Sequence, residues 1–178
     1  MPSASDDATP SLRRRFACFV YEGVLLFGVL MLGGLIFSML TGQRHALQGR
    51  HSLQAFLFVV LALYFVGFWS HGGQTLAMRT WRIRVVRHDG APLGPGRALA
   101  RYATAWMWFL PALLAVRLAQ LETLGGIGAV LAAGVIGYAL TSRLHPQRQF
   151  WHDALCGTRL ATVRPPRSAI TRGHNRGP

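Results

Sequence analysis

The sequence predicts an all-α membrane protein: a four-helix transmembrane bundle with a short cytoplasmic β-strand or hairpin between the second and third spans. Three observations lead there. About half of the residues, 51%, are apolar, and they gather in four long blocks. A soluble helix would instead intersperse charge at a period of about 3.6 residues. Charge is crowded between the blocks and is nearly all of one sign, with nineteen basic residues, every one Arg, against six acidic. The arginines also alternate between rich and poor connecting segments, as in membrane proteins of fixed orientation.

Residues 1–12 are polar and are expected to form a disordered tail. Arg13, Arg14 and Arg15 then precede an apolar run over about 16–40 whose one charge is Glu22. A bilayer core about 30 Å thick needs about 20 helical residues, so this run spans with some tilt. It is longer than the apolar core of a cleaved leader and has no convincing small-x-small site, so it is expected to stay in the mature chain. The second span covers about 53–70 and holds no charge; Gly72 and Gly73 follow as helix terminators.

Residues 73–101 carry six arginines. WRIRVV alternates Arg with apolar residues at the two-residue period of a strand, and Asp89-Gly90 is a turn signal, so a strand or hairpin is expected near 81–91. Pro92, Gly94, Pro95 and Gly96 predict a loop, with a helix starting near Arg97. The third span covers about 102–121, with Pro111 as a kink site and Tyr102, Trp106 and Trp108 suited to an interfacial belt. The fourth covers about 124–141. Its small-residue ladders, Gly126-Val130-Gly134 and Ala129-Ala133-Gly137, favour close helix packing, with Gly28, Gly33 and Gly34 of the first helix as candidate partners. The third and fourth segments read as a tight helical hairpin, with a re-entrant pair as the alternative. Residues 150–163 read as a short ordered segment, and 164–178 as a disordered basic tail.

With four spans and the N-terminus inside, the inner segments carry three, six and seven arginines, sixteen in all; the outer ones carry Arg44, Arg50 and Arg117. That bias places both termini in the cytoplasm of a bacterial inner-membrane protein. The net charge of +13 raises nucleic acid as a partner, but no folded reader motif accompanies it. Anionic lipid headgroups explain the arginines better. Cys18 and Cys156 have no metal-binding spacing and read as small apolar fillers, so neither metal nor cofactor is expected.

Glu22 is the one acidic residue inside an apolar span. A carboxylate in hydrocarbon costs several kcal/mol, so such a residue faces a partner, a cavity or an interface. Arg15 lies on the same helix face, about 10 Å away along the axis.

Three segments carry a family resemblance. Arg15-Phe-Ala-Cys-Phe-Val-Tyr-Glu22 resembles the opening of the RDD family of bacterial membrane proteins, an Arg followed seven positions on by an intramembrane Asp. Gly73-Gln74-Thr75-Leu76-Ala77-Met78-Arg79-Thr80-Trp81-Arg82-Ile83-Arg84-Val85-Val86, with Asp89-Gly90 after it, resembles the second signature. His152-Asp153-Ala154-Leu155-Cys156-Gly157-Thr158-Arg159-Leu160-Ala161 resembles the third. The resemblance covers roughly 13–163, the extent of the transmembrane domain. Glu22 stands where the family has Asp, and Ala77 and Arg82 stand where it has Gly.

The resemblance implies that Arg15, Glu22 and Asp153 form one polar cluster at the cytoplasmic end, with Arg148 and Arg159 flanking Asp153. Gly73, Gln74, Thr75 and Arg79 carry the second motif, and His152, Gly157 and Thr158 the third. His152 beside Asp153 suggests a catalytic dyad, but helix neighbours do not face each other and no nucleophile is in view, so no enzyme is expected. Two functions follow as expectations. One is a transport or ion-exchange component, working as a homo-oligomer because four spans make a thin bundle. The other is an accessory protein that binds a membrane-protein partner or anionic lipid through its arginine-rich face.

Overall fold

The computed structural model of the chain describes residues 9–42, 49–144 and 149–163. Among these residues, four helices are long and apolar enough to cross a membrane. Helix α1 covers Leu12–Thr41, α2 covers Arg50–Ser70 and α6 covers Leu124–Thr141, and the remaining span runs over Pro95–Leu118. The first is 30 residues long, about 45 Å, so its N-terminal turns reach beyond a hydrocarbon core of about 30 Å.

Helix α1 starts earlier than expected because Ser11 caps it, accepting from the Arg14 N–H at 3.4 Å. Thr9 is held too, its hydroxyl accepting from the Gln149 side chain at 3.1 Å. The last residues of the expected tail, 9–12, are therefore part of the fold. The tails expected over 1–8 and 164–178 lie outside the described residues, as does Arg148.

The third span begins at Pro95 rather than near residue 102, because Pro95 occupies the first turn, where its missing N–H costs nothing. It comprises α4 (Pro95–Ala105), a single tight turn over Trp106–Trp108, and α5 (Leu110–Leu118). The break expected at Pro111 lies just ahead of it. Proline disfavours helical geometry in the preceding residue and takes the first turn of α5. Among the small residues of α6, Gly134 makes the close approach: a Cβ there would stand 2.5 Å from Ala112 Cβ. The receiving helix is thus α5. Gly33 packs instead on Leu57 of α2, and Gly28 and Gly34 face open space.

The windows of α1 and α2 that fit the membrane are only 6% buried inside the chain, so their apolar side chains face outward, as lipid solvation requires. The buried core lies at one end of the bundle, where the α1 N-terminus and the α2 C-terminus meet the polar segments. A short helix α3 (Leu76–Thr80), strand β1 (Ile83–Arg87), helix α7 (Trp151–Leu155) and strand β2 (Thr158–Thr162) close that end.

The expected strand forms, and its partner is distant. β1 pairs antiparallel with β2, with Val85 opposite Leu160. Asp89-Gly90 does turn the chain, with Gly90 at φ +81°, but Pro92 and Pro95 lack the N–H groups a local hairpin would need. Gly73 anchors the joint between α2 and β1. Its φ is +70°, its carbonyl accepts from the Val85 N–H at 2.8 Å, and a Cβ there would stand 2.5 Å from the Val85 carbonyl oxygen.

Gly73→Ala is therefore expected to cost about 2–4 kcal/mol, a left-handed penalty plus overpacking. Gly42→Ala, at φ +62° in open space, should cost only about 1–2 kcal/mol. Thermal unfolding of both variants in detergent measures the difference.

Candidate functional site

Among the described residues, four charged side chains are buried where the end segments meet the bundle: Arg15, Glu22, Arg101 and Asp153. Asp153, on α7, is fully buried, and its Oδ1 accepts from Arg101 Nε at 2.8 Å. The Arg101 guanidinium lies over the Trp69 ring, 4.1 Å from its centroid. Thr158, the first residue of β2, reaches the backbone carbonyl of Asp153 at 3.1 Å and Oδ1 at 3.4 Å. One ion pair thus joins α4, α7 and β2.

His152 faces the same carboxylate, with Nε2 3.4 Å from Oδ1. Its Nδ1 lies 3.0 Å from the Tyr138 hydroxyl, which also accepts from the His152 N–H at 3.1 Å. Burial pushes the imidazole down to about 4, against a smaller upward pull from Asp153 and a downward push from Arg101. The ring is therefore neutral near pH 7. A proton on Nε2 satisfies both ends, with the Tyr138 O–H donating to Nδ1. Sequence neighbours meet here because α7 is a single short helix whose side chains both turn inward.

Glu22 belongs to a second network. Tyr64 of α2 donates to its Oε1 at 2.7 Å, and Thr75 donates to Oε2. The Thr75 oxygen also caps α3, accepting from the Met78 N–H at 3.2 Å. Three segments distant in sequence converge on this one carboxylate.

Arg15 bonds to neither network. Its guanidinium sits 4.5 Å from the Phe150 ring centroid, and its Nε and Nη1 are buried with no hydrogen-bond partner among the described residues. The expected single cluster is thus three buried groups at one end, with Glu22 and Asp153 held by different partners. Its neighbour Arg14 ties α1 to the end segment, donating to the carbonyls of Trp81 at 2.6 Å and Arg82 at 3.1 Å.

A cavity of about 320 Å³ runs between α1, α2 and the third span. Its wall is mostly aromatic and aliphatic, with Arg15, Glu22, Arg101 and His152 facing in. Among the described residues, no three His, Cys, Asp or Glu side chains come together as metal ligands.

The motif residues mostly position this site. Gln74 donates to the Ile83 carbonyl at 2.8 Å. Arg79 is exposed and borders a shallow pocket with Tyr64 and His71. Gly157, at φ +61°, lies against Arg97, whose Nη1 donates to the Cys156 carbonyl at 3.2 Å. Arg82, where the resembled pattern has Gly, takes φ +52°. The left-handed geometry explains that preference, and Arg82 adopts it while its carbonyl accepts from Arg14 and from the Val163 N–H. Ala77, where the resembled pattern also has Gly, is fully buried.

A model of the RDD family matches residues 9–157. The chain belongs to the RDD family. No curated protein and no solved structure matches it. The matched region of this RDD chain contains Arg15, Glu22 and Asp153 and stops just before Thr158 and β2.

Arg101, Tyr64, Tyr138 and Gln149 complete the site, and sequence reasoning did not single them out. Along the sequence Arg101 is one more arginine of the inner segment between the second and third spans. The available signal was its place on the helical side of Pro95, four residues beyond Arg97 and beside the aromatic Tyr102. Gln149 is buried and accepts from the Leu160 N–H at 3.2 Å, bracing β2 against the start of α7.

Arg101→Gln or Asp153→Asn leaves one buried charge without its partner and should cost about 3–5 kcal/mol in thermal unfolding. The pH dependence has a definite sign. The His152 pKa is lowered in the folded state from 6.5 to about 4, so between these values the unfolded chain binds a proton that the folded chain refuses. Its contribution is fully present above pH 6.5 and falls as pH drops toward 4, by about 3 kcal/mol in all. His152→Asn should remove that component, read as the difference between wild-type and variant melting profiles.

Proposed function

We propose that this RDD-family protein is an ion-exchange or transport component of the bacterial inner membrane, with both termini cytoplasmic. The observation that carries the reading is Glu22. It is a buried carboxylate in an otherwise uncharged stretch of membrane helix, it faces a cavity, and hydroxyls from two other segments hold it. Ionisable groups within membrane helices mark ion and proton pathways. Tyr64 and Thr75 stabilise the ionised carboxylate. A proton or small cation arriving through the cavity competes with those hydroxyls, and this exchange is the elementary step of the proposed activity. The sixteen-to-three arginine bias supports the orientation. The outward-facing apolar surfaces of so thin a bundle leave room for a homo-oligomer.

A second reading has its own observation. Arg13, Arg79, Arg82, Arg84 and Arg97 are all exposed around the closed end of the bundle. Such a basic surface suits anionic headgroups or an acidic membrane-protein partner. An accessory role of this kind predicts co-purification with a fixed partner and no flux by the purified chain.

Flux of protons and monovalent cations in proteoliposomes separates the two. Wild-type protein should exchange ions, Glu22→Gln should fall to the level of protein-free vesicles, and Tyr64→Phe should lie between. Unchanged flux in Glu22→Gln together with a lower melting temperature would make Glu22 a structural anchor and sink the transport reading.

A further inference from the structure

We propose that the cavity binds an amphiphilic anion, with a carboxylate or phosphate head on the Arg15 guanidinium and a single apolar chain along Phe19, Phe65, Trp106 and Phe109. The inference rests on Arg15, whereas the ion-exchange reading rests on Glu22 in the wall of the same cavity.

The argument begins with charge. Arg15 is 6% exposed and lines the cavity, and its Nε and Nη1 have no hydrogen-bond partner among the described residues. A guanidinium out of water is costly unless an anion meets it. The other charges facing the cavity are engaged. Arg101 is paired with Asp153, and both oxygens of Glu22 accept from Tyr64 and Thr75. Asp153 attracts Arg15 electrostatically from nearby, but it makes no hydrogen bond to it among the described residues and does not line the cavity. An oxyanion head suits Arg15, because a hydrogen bond from a guanidinium N–H to an anionic oxygen is charge-assisted and strong.

Size and wall chemistry select the rest of the ligand. About 320 Å³ is roughly twice a cavity that accepts benzene. It holds a head and several methylenes but not a two-chain lipid. The largely hydrocarbon wall rewards each buried methylene with about a fourfold gain in affinity. Gly23, exposed on α1, also borders the cavity, and no atom lies within 4 Å of where its Cβ would be. It offers a lateral opening through which a chain can pass from the membrane.

The full chain in nanodiscs of zwitterionic phosphatidylcholine provides the test. Trp69 and Trp108 line the cavity and are 3% and 7% exposed, so a brominated ligand inside it quenches emission that lipid-borne bromine reaches poorly. Dibromostearate is titrated against dibromostearyl alcohol, which enters the bilayer equally but lacks the anionic head. The acid is expected to quench saturably beyond the alcohol. Arg15→Gln should weaken it by about tenfold or more, and Gly28→Leu, on the same helix but outside the cavity, should leave it unchanged. Gly23→Leu, which fills the opening and keeps both hydrogen-bond networks, should block it, and this variant carries the test if Arg15→Gln fails to fold. Oleate and oleyl phosphate should both displace the probe, and their order identifies the preferred head. Equal quenching by acid and alcohol overturns the proposal, as does wild-type affinity in Arg15→Gln or in a folded Gly23→Leu. Displacement by acetate or inorganic phosphate as strong as that by oleate would reduce the site to a small-anion site and overturn it too.

Discussion

Arg101 and Asp153 are both withdrawn from water, and that is tolerable only while they remain together. Their contact at 2.8 Å is supported by the Trp69 ring on one side and by Thr158 and His152 on the other. Breaking such a pair leaves a buried charge uncompensated, so the pair acts as a constraint more than as a source of net stability. The constraint reaches far along the chain. Arg101 is on the third span, Asp153 is on α7 beyond the fourth, and β2 follows directly to pair with β1. Fixing one ion pair therefore sets how both polar segments fold over the end of the bundle.

The Glu22 network works in parallel from the other side. It ties α1 to α2 through Tyr64 and to the α2–β1 connection through Thr75. Arg14 adds two bonds to backbone carbonyls of the same connection. Between the two networks lies an aromatic-walled cavity with Arg15 buried in its wall. This division follows from the solvent. Lipid-facing helices gain little by burying apolar surface against one another, so their association leans on polar contacts and close packing such as Gly134 on Ala112. A membrane-embedded chain with few polar residues concentrates them where its segments must be tied, and the same place is suited to meeting a ligand.

Much of the architecture is legible along the chain. The first, second and fourth spans follow from unbroken apolar length, and β1 follows from the alternation around Ile83 and Val85. Arg15, Glu22 and Asp153 are visible as motif residues, and all three are buried. What hides is their grouping. Asp153 pairs with Arg101, not Arg15, although both arginines carry the same charge and nothing local distinguishes them. Tyr64 and Tyr138 read as ordinary aromatic residues of apolar helices until a carboxylate or an imidazole is found at the hydroxyl. The partner of β1 lies 71 to 79 positions away, Arg87 opposite Thr158 at the near limit and Ile83 opposite Thr162 at the far one. Local periodicity reports a strand but not what it pairs with.

By itself, the sequence determined the membrane class, the number of long apolar helices, the family motifs and the acidic residue out of place in hydrocarbon. These follow from composition over windows of consecutive residues, which is how a helix meets a bilayer. Only the tertiary structure decided which of the arginines are buried, which carboxylate each network holds, and that a cavity separates the two networks. Those outcomes depend on pairing between residues distant in the chain. In a low-dielectric interior a charge is stable only beside its partner, and that partner is chosen by how the segments pack.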